Sequence, residues 1–480
     1  MHTYSNSLVI VLLSLLWIAT AFPVEAGVED HYTPQQQQQQ YKPHKQQQQK
    51  HHQQHDHTKY KTSKQNVLFQ LIENDEEREI QIENILKNPI NFKGFPPIVS
   101  LPTKDQRTLK DGEIPNYVID YAPLVHLYSE ERYLPYDIKD YLTNFHVEFP
   151  NGTHVPGTED LNIEIFGNLS QSYDTSELYL TSNSDFSKDP NWLTGIKNKP
   201  SLIDGEIKDA PATLIVVDKG NGWVDSYWFY FYSFNLGPFV MGQGPYGNHI
   251  GDWEHSLVRF YNGVPIIVWM SAHGGGGGFY YHNLEKYSLD SKHPIIFSAR
   301  GTHANYPSVG QYPHDLPYDI LSDFTDRGPL WNPTKNYLGY TYDGQFVYPG
   351  TTNHNSKHTG REESYFNWLS YNGQWGDKQL IMKDSRQTYN LVAGYKFIDG
   401  PKGPLAKNLL RLSPCERTKW YNFWGGCNVR QNIKWGIGVE SEGYNCGNLF
   451  MSIKPAFIRK TLQRFTWGGG LCFLMDIFYG

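Results

Sequence analysis

Two carboxylates and a histidine stand close together in the sequence GNHIGDWEH, residues 247–255. In an extended strand the side chains alternate between faces, so Asp252 and Glu254 point to the same side. Two carboxylates on one face repel each other unless a positive charge lies between them. We therefore predict that His249, Asp252 and Glu254 hold a divalent cation. Ca²⁺, Mg²⁺ or Mn²⁺ is favoured over Zn²⁺, because two of the three ligands are carboxylates. The alternative is that the carboxylates pair with Arg259 or Arg300 and that His249 caps a turn.

Two neighbouring segments end in residues that could join this site. One predicted strand delivers His273 into the glycine run 274–278, and another delivers Arg300 and His303. If the strands end at a common rim, these side chains meet the carboxylates there. Glycines would leave room for a ligand or offer bare N–H groups to an anion. The predicted ligand-binding residues on these segments are His273, Gly274, Gly275, Arg300 and His303.

An acidic stretch downstream contains Asp323 and Asp326. We count both as ligand-binding candidates that would complete a second shell around the cation. The alternative is that they cap a helix or lie in solvated turns. Ser271 lies near His273 in the sequence, but no GxSxG motif is present, so a serine hydrolase is disfavoured.

The composition indicates which elements position these residues. The 480 residues include 34 Tyr, 25 Phe and 13 Trp, with many Gly and Pro. This mixture favours strands and ordered loops over a helical bundle. The predicted fold is mainly β, a β-sandwich-like core with long loops and a few peripheral helices. Residues 121–128 are predicted as an edge strand and Asn262-Gly263 as a hairpin turn. Five further strands are predicted at 213–218, 226–234, 253–260, 265–272 and 295–299.

The remaining sequence suggests five regions. Residues 1–26 have the apolar run and small residues of a cleaved signal peptide, with an uncleaved signal anchor as the alternative. Residues 27–64 are a Gln/His-rich tract too polar to fold, and 65–112 read as a helical arm with a Pro-containing linker. The core domain is placed at 113–390, with a cysteine-containing extension packed on it at 391–480. The net charge is −7, and no blocks of basic residues occur outside the early tail. Both observations argue against nucleic acid as a partner.

Two kinds of modification agree with an oxidising compartment. Asn151 and Asn168 begin glycosylation sequons. The four cysteines cluster near the C-terminus and predict two disulfides of unspecified pairing, with free thiols as the alternative; they are Cys415, Cys427, Cys446 and Cys472.

Five segments, in this order, resemble the fungal vacuolar protein sorting-associated protein 62 (Vps62) family. They are YAPLVHLYSEERYLPYDI, GNHIGDWEHSLVRF, SAHGGGGG, FSARGTHANYPSVG and DFTDRGPLWNP. The resemblance implies a role in targeting proteins to the vacuole and names no chemical activity. Together with the predicted signal peptide, it implies a location in the secretory pathway, in the vacuole or outside the cell. A single-pass membrane anchor, from an uncleaved signal, is the alternative.

A more remote likeness concerns residues 248–254 alone. They are similar to the GHRHDWE heptapeptide of necrosis- and ethylene-inducing-like proteins, secreted β-sandwich cytolysins whose heptapeptide binds a divalent cation. That family's cation ligands fall on His249, Asp252 and Glu254. The motif's second His is Gly251 here, and a further acidic ligand has no counterpart at matching distance.

Three functions are consistent with these patterns. The first is cation-dependent binding without catalysis, with a lipid headgroup, a glycan or a cargo protein as partner and with membrane association at the surface or through an uncleaved signal anchor. The second is a metal-dependent hydrolase resembling a phosphoesterase. The third is a secreted lipid-binding cytolysin. We favour binding, since it needs only the cation and an aromatic rim.

Overall fold

The computed structural model describes residues 95–239, 244–273, 275–287, 292–313, 322–350, 367–391, 393–416, 429–430 and 433. The predicted signal peptide, the Gln/His-rich tract and the predicted helices before residue 95 lie outside the described residues. So do Gly274, Cys427, Cys446 and Cys472. Among the described residues, no helix has the length and apolar character to cross a membrane.

The helices and strands are named here in chain order. The helices are α1 (Asn116–Asp120), α2 (Ile138–Leu142) and α3 (Ile163–Ser172). The strands are β1 (Leu124–His126), β2 (Phe145–Glu148), β3 (Tyr179–Ser182), β4 (Ala212–Asp218), β5 (Trp223–Asn235), β6 (His249–Tyr261), β7 (Val264–Ala272), β8 (Gly275–Tyr280), β9 (Ile295–Ser298), β10 (Asn305–Tyr306), β11 (Gly310–Pro313), β12 (Ser322–Thr325), β13 (Leu330–Trp331), β14 (Tyr337–Tyr342), β15 (Val347–Pro349), β16 (Tyr389–Asn390), β17 (Gly394–Tyr395) and β18 (Val429–Arg430).

Two sheets make up most of the fold. The larger has eight strands in the order β15-β14-β4-β5-β6-β7-β8-β18. Successive strands from β4 to β8 are antiparallel, whereas β14 runs parallel to β4 and β18 parallel to β8. The smaller has four strands in the order β10-β9-β1-β13. The prediction of a mainly β fold with few helices is confirmed.

Strand β5 explains why the larger sheet is buried on both faces. Tyr227, Phe229 and Phe231 belong to one apolar core, which also holds side chains of α2, α3 and the segment 368–375. Trp228 and Tyr230 alternate with them and belong to a second core, shared with β1, β9 and β13 of the smaller sheet. A central strand covered on both sides has no need of the apolar–polar alternation typical of a half-exposed strand. Its aromatic run SYWFYFYSF is the result.

The turn between β6 and β7 is the predicted hairpin. Asn262 and Gly263 both have positive φ, 48° and 77°, and Tyr261 pairs with Val264 across the turn. Positive φ at both central residues is the requirement that makes Asn-Gly the preferred pair in such turns. This prediction is confirmed.

One predicted detail is wrong. The strand within residues 121–128 is not an edge strand, because β1 pairs with β9 on one side and β13 on the other. The glycine run is a strand from residue 275 onwards, because Gly275 to Gly278 pair with β7. Glycine is needed there for packing: a Cβ on Gly276 would come within 2.4 Å of the Trp269 ring.

The segment after residue 396 shares the core of the large sheet. Phe397, Leu405 and Leu409 contact the same apolar cluster as Phe231. Tyr227 in β5 donates a hydrogen bond to the Leu409 carbonyl at 2.9 Å. Cys415 is partly buried against this cluster. The domain boundary at residue 390 and the pairing of the cysteines stay predictions.

Candidate functional site

Strand β6 carries Asp252 and Glu254 into the space between the two sheets. Both are nearly buried, 4 % and 8 % exposed. The chain approaches them through Gly251, which has φ +67°. A Cβ at this position would lie 2.1 Å from the Trp375 carbonyl oxygen. The glycine is therefore required both by the left-handed backbone and by the close approach of another segment.

Asp252 is paired with His303, which lies in the loop between β9 and β10. His303 Nδ1 is 2.8 Å from Asp252 Oδ2, and its Nε2 is 2.9 Å from the Tyr133 carbonyl oxygen. The imidazole stacks on the Tyr232 ring with centroids 3.7 Å apart. Both neighbouring oxygens accept hydrogen bonds, so both ring nitrogens carry protons and the ring is an imidazolium.

No sequence pattern indicated one partner of this imidazolium, Glu131. Its carboxylate lies 3.8 Å from His303 Nε2 and accepts hydrogen bonds from the backbone N–H groups of Gly301 and Tyr133, at 2.7 and 2.9 Å. Although burial opposes ionisation, the contacts with His303 lower the pKa of Glu131. Burial likewise lowers the pKa of His303, but hydrogen bonds to Asp252 and Glu131 outweigh it and raise that pKa to about 9. No spacing connects Glu131 to His303, which is why sequence reasoning missed it.

Glu254 lies on the same face of β6. Among the described residues, no positively charged side chain lies within hydrogen-bonding distance of its carboxyl group. Its carboxylate accepts a hydrogen bond from the Ser271 hydroxyl. That hydroxyl in turn accepts from the His255 backbone N–H at 2.8 Å. Burial, followed by the negative charge of Asp252, raises the pKa of Glu254 to about 8.

His249 stands at the start of β6 with one nitrogen committed. Its Nδ1 is 2.7 Å from the Gly251 carbonyl oxygen. A carbonyl can only accept, so Nδ1 carries the proton and Nε2 keeps its lone pair. Burial lowers the pKa of His249, which favours the neutral ring. A neutral imidazole whose other nitrogen donates to a carbonyl is the usual state of a metal ligand.

A second polar cluster surrounds Asp323 on β12. Its carboxylate accepts hydrogen bonds from His273 Nε2 at 2.6 Å, Thr302 Oγ1 at 2.8 Å and the Tyr306 hydroxyl at 2.7 Å. Thr302 precedes His303, so the two clusters are joined through one loop. Tyr306 is a further residue that the sequence did not indicate.

The other predicted residues lie apart from these contacts. The Arg300 guanidinium is exposed and lies over the Tyr128 ring, 5.9 Å from its centroid. Asp326 accepts a hydrogen bond from the Ser129 backbone N–H at 2.8 Å. Gly275 pairs with Ala272 at the end of the β7–β8 ladder. Arg259, named as an alternative partner of the carboxylates, forms a buried pair with Asp225 instead.

The proposed cation ligands are not gathered tightly. In the part of the chain that the structure describes, the ligand atoms of His249, Asp252 and Glu254 do not all lie within 4.8 Å of one another. Coordination of one ion by all three would require side-chain rotation.

Comparison with known proteins identifies the family. The model of vacuolar protein sorting-associated protein 62 matches residues 98–316. Vacuolar protein sorting-associated protein 62 of Saccharomyces cerevisiae is 48 % identical over 409 residues, covering 79 % of this chain and 85 % of the yeast protein. TDA6 of the same yeast, whose name provisionally assigns it to vacuolar protein sorting, is 48 % identical over 421 residues, covering 80 % of this chain and 88 % of TDA6.

Solved structures give only a faint likeness. Necrosis and ethylene inducing protein 2 from the agent of witches' broom disease of cocoa is 12 % identical with a TM-score of 0.21, over 42 % of this chain and 73 % of that one. A structure described as a toxin fold as basis for microbial attack and plant defense is 15 % identical with a TM-score of 0.22, over 53 % of this chain and 84 % of that one. A likeness this low carries no information about function. The two yeast relatives, by contrast, are nearly half identical over most of their length, which identifies the family. The chain belongs to the Vps62 family of vacuolar protein sorting-associated proteins.

Proposed function

We propose that this chain acts in vacuolar protein sorting as a cation-dependent binding protein rather than as an enzyme. His249, Asp252 and Glu254 hold a divalent cation, Ca²⁺, Mg²⁺ or Mn²⁺. The cation then presents an open position to a lipid headgroup, a glycan or a cargo protein. The protein carries this site in the secretory pathway, a location that agrees with the vacuolar role of the family.

The observation that carries the proposal is that the buried carboxyl group of Glu254 has no positively charged side chain within hydrogen-bonding distance among the described residues. Asp252 and Glu254 share one buried face of β6, yet the imidazolium of His303 lies between Asp252 and Glu131 and so faces two carboxylates already. Ionised Glu254 would add a further negative charge in a water-poor space, which is costly unless a cation joins it. His249 offers a lone pair on Nε2 at the start of the same strand.

Binding is favoured over hydrolysis because the nearby acid–base groups are already engaged. His303 uses both nitrogens, and His273 donates to Asp323. The Ser271 hydroxyl is held by Glu254 and His255. A metal-dependent hydrolase needs a free base next to a metal-bound water. These groups instead fix the carboxylates in place.

Metal analysis and thermal melts of the purified, secreted chain test the proposal. The wild type is expected to retain about one equivalent of Ca²⁺, Mg²⁺ or Mn²⁺, and a chelator is expected to lower its Tm. Asp252→Asn and Glu254→Gln should each lose that ion and show a smaller chelator effect. Asp326→Asn is the matched control, because Asp326 is an acidic candidate that bonds to Ser129 outside the site.

Wild-type protein that is metal-free and melts at the same temperature with and without chelator would exclude the cation. If the ion is present, metal-dependent turnover of phosphoester substrates would show that the protein is a hydrolase and not a binding protein. Leakage of sphingolipid vesicles would instead identify a cytolysin.

A further inference from the structure

A second group of metal-ligand side chains lies on a different pair of strands. His146 and Glu148 are on β2, which pairs with β3. His154 follows a tight turn that returns the chain alongside β2, with a bridge between Glu148 and His154. The turn is closed by hydrogen bonds from the Phe149 N–H to the Thr153 carbonyl and from the Val155 N–H to the Val147 carbonyl, at 2.9 and 2.8 Å.

The three side chains converge on one point. One ligand atom from each of His146, Glu148 and His154 lies within 4.8 Å of the others. Glu148 Oε1 is 3.1 Å from His146 Nε2 and 3.7 Å from His154 Nε2. The two imidazoles are stacked, with centroids 4.0 Å apart. Two imidazole nitrogens and one carboxylate oxygen make up a donor set typical of zinc with an open fourth position.

Neighbouring side chains orient two of the ligands. His146 Nδ1 lies 2.6 Å from Asn183 Oδ1, an oxygen that accepts, so Nδ1 carries a proton. Nε2 faces Glu148 Oε1 at 3.1 Å, where a bound ion would take the place of the proton shared by the two atoms. The Thr181 hydroxyl donates to Glu148 Oε2 at 3.2 Å, which leaves Oε1 for the ion. Such outer contacts fix the tautomer and direction of metal ligands. Histidines that lie close together by chance would not be expected to have such contacts.

Exposure increases across the group. The side chains of His146, Glu148 and His154 are 10 %, 22 % and 56 % exposed. One ligand is thus held in the fold and one lies at the surface, where an ion can enter and a water can take the fourth position.

We propose that His146, Glu148 and His154 form a zinc site that ties the turn at residues 149–153 to β2. The predicted sequon residue Asn151 lies in this turn and is exposed. The site is independent of the one at Asp252 and Glu254, since it shares no residue with it and uses a different donor set.

Zinc titration of the full chain tests this site, with Co²⁺ absorption as a second readout of four-coordinate geometry. All variants are compared with the wild type, so the site at Asp252 and Glu254 and the Gln/His-rich tract are the same in each and cancel in the comparison. His154→Ala is suitable because His154 is exposed, so the fold does not depend on it. It should abolish the tight zinc equivalent and the Co²⁺ signal.

Asn183 distinguishes a built site from chance proximity. Asn183 is exposed, so its replacement leaves the core intact. Asn183→Leu should weaken zinc about 10- to 100-fold, as loss of an outer-shell partner does, whereas Asn183→Asp should retain or tighten binding. His282→Ala, a partly exposed histidine outside both groups, should change nothing. Equal zinc affinity in His154→Ala and its parent would overturn the proposal, as would equal affinity in Asn183→Leu and Asn183→Asp.

Discussion

His303 Nδ1 lies 2.8 Å from Asp252 Oδ2, and this contact holds the loop between β9 and β10 against the large sheet. The ring is fully buried and faces Glu131 on its other side. His303 thus supplies a buried positive charge between the carboxyl groups of Asp252 and Glu131 in the space between the sheets.

Replacing His303 should therefore be severely destabilising. His303→Gln removes the positive charge and leaves Asp252 and Glu131 buried without it, which costs about 3–5 kcal/mol. Chemical denaturation measures the change in the free energy of unfolding. The control is His282→Gln, a partly exposed ring for which we expect a change within about 0.5 kcal/mol. Similar values for both variants would contradict the role assigned to His303.

The same contact predicts a pH dependence. The folded pKa of His303 is raised to about 9, above the value of about 6.5 expected in the unfolded chain. Its stabilisation is therefore complete below about pH 6.5 and is lost as pH rises through 9. The difference in unfolding free energy between wild type and His303→Gln should shrink over that window. A difference that stays constant from pH 6 to 9.5 would show that the ring is neutral.

Two glycines test the approach of the chain to the site. Gly251 and Gly247 both have positive φ, but a Cβ at Gly251 would strike the Trp375 carbonyl at 2.1 Å, whereas nothing lies within 4 Å of one at Gly247. Gly247→Ala should cost about 1–2 kcal/mol, the penalty of the left-handed backbone alone. Gly251→Ala should cost clearly more and also weaken cation binding. Thermal melts of the two variants compare them directly, and equal losses of Tm would mean that the Trp375 contact relaxes.

Burial should separate two otherwise similar ion pairs. Arg259 binds Asp225 through two hydrogen bonds of 2.7 Å, and both side chains are buried. Arg327 binds Glu285 through two hydrogen bonds of the same length, 2.7 Å, at the surface. Asp225→Asn should cost about 3–5 kcal/mol because it leaves a buried charge, and Glu285→Gln about 0–1 kcal/mol.

Arg259 also donates to the Leu412 carbonyl at 2.6 Å. Asp225→Asn is therefore expected to speed limited proteolysis near residue 412, while Glu285→Gln leaves the cleavage rate unchanged. Cleavage that is equally fast in both variants would argue against a link between β6 and this segment.

The sequence by itself determined the local structure. Strand β5 could be predicted because seven of the nine residues 226–234 are aromatic, a class that favours extended backbone. The β6–β7 hairpin could be predicted because Asn262-Gly263 accepts positive φ. Alternation along β6 likewise placed Asp252 and Glu254 on one face. Each of these properties depends on neighbours in the chain.

Tertiary structure alone decided what those carboxylates meet. Glu131 and His303 are more than 170 residues apart in the sequence. They meet because the parallel pairing of β1 with β9 brings the loops that follow these two strands together. The same pairing made β1 an interior strand. Pairing with β7 made residues 275–278 of the glycine run part of a strand. The zinc group of His146, Glu148 and His154 also escaped sequence reasoning, because its spacing matches no motif and its meaning depends on Asn183 and Thr181, which the β2–β3 pairing supplies. Contacts between distant segments depend on strand order and register, and local pattern does not encode these.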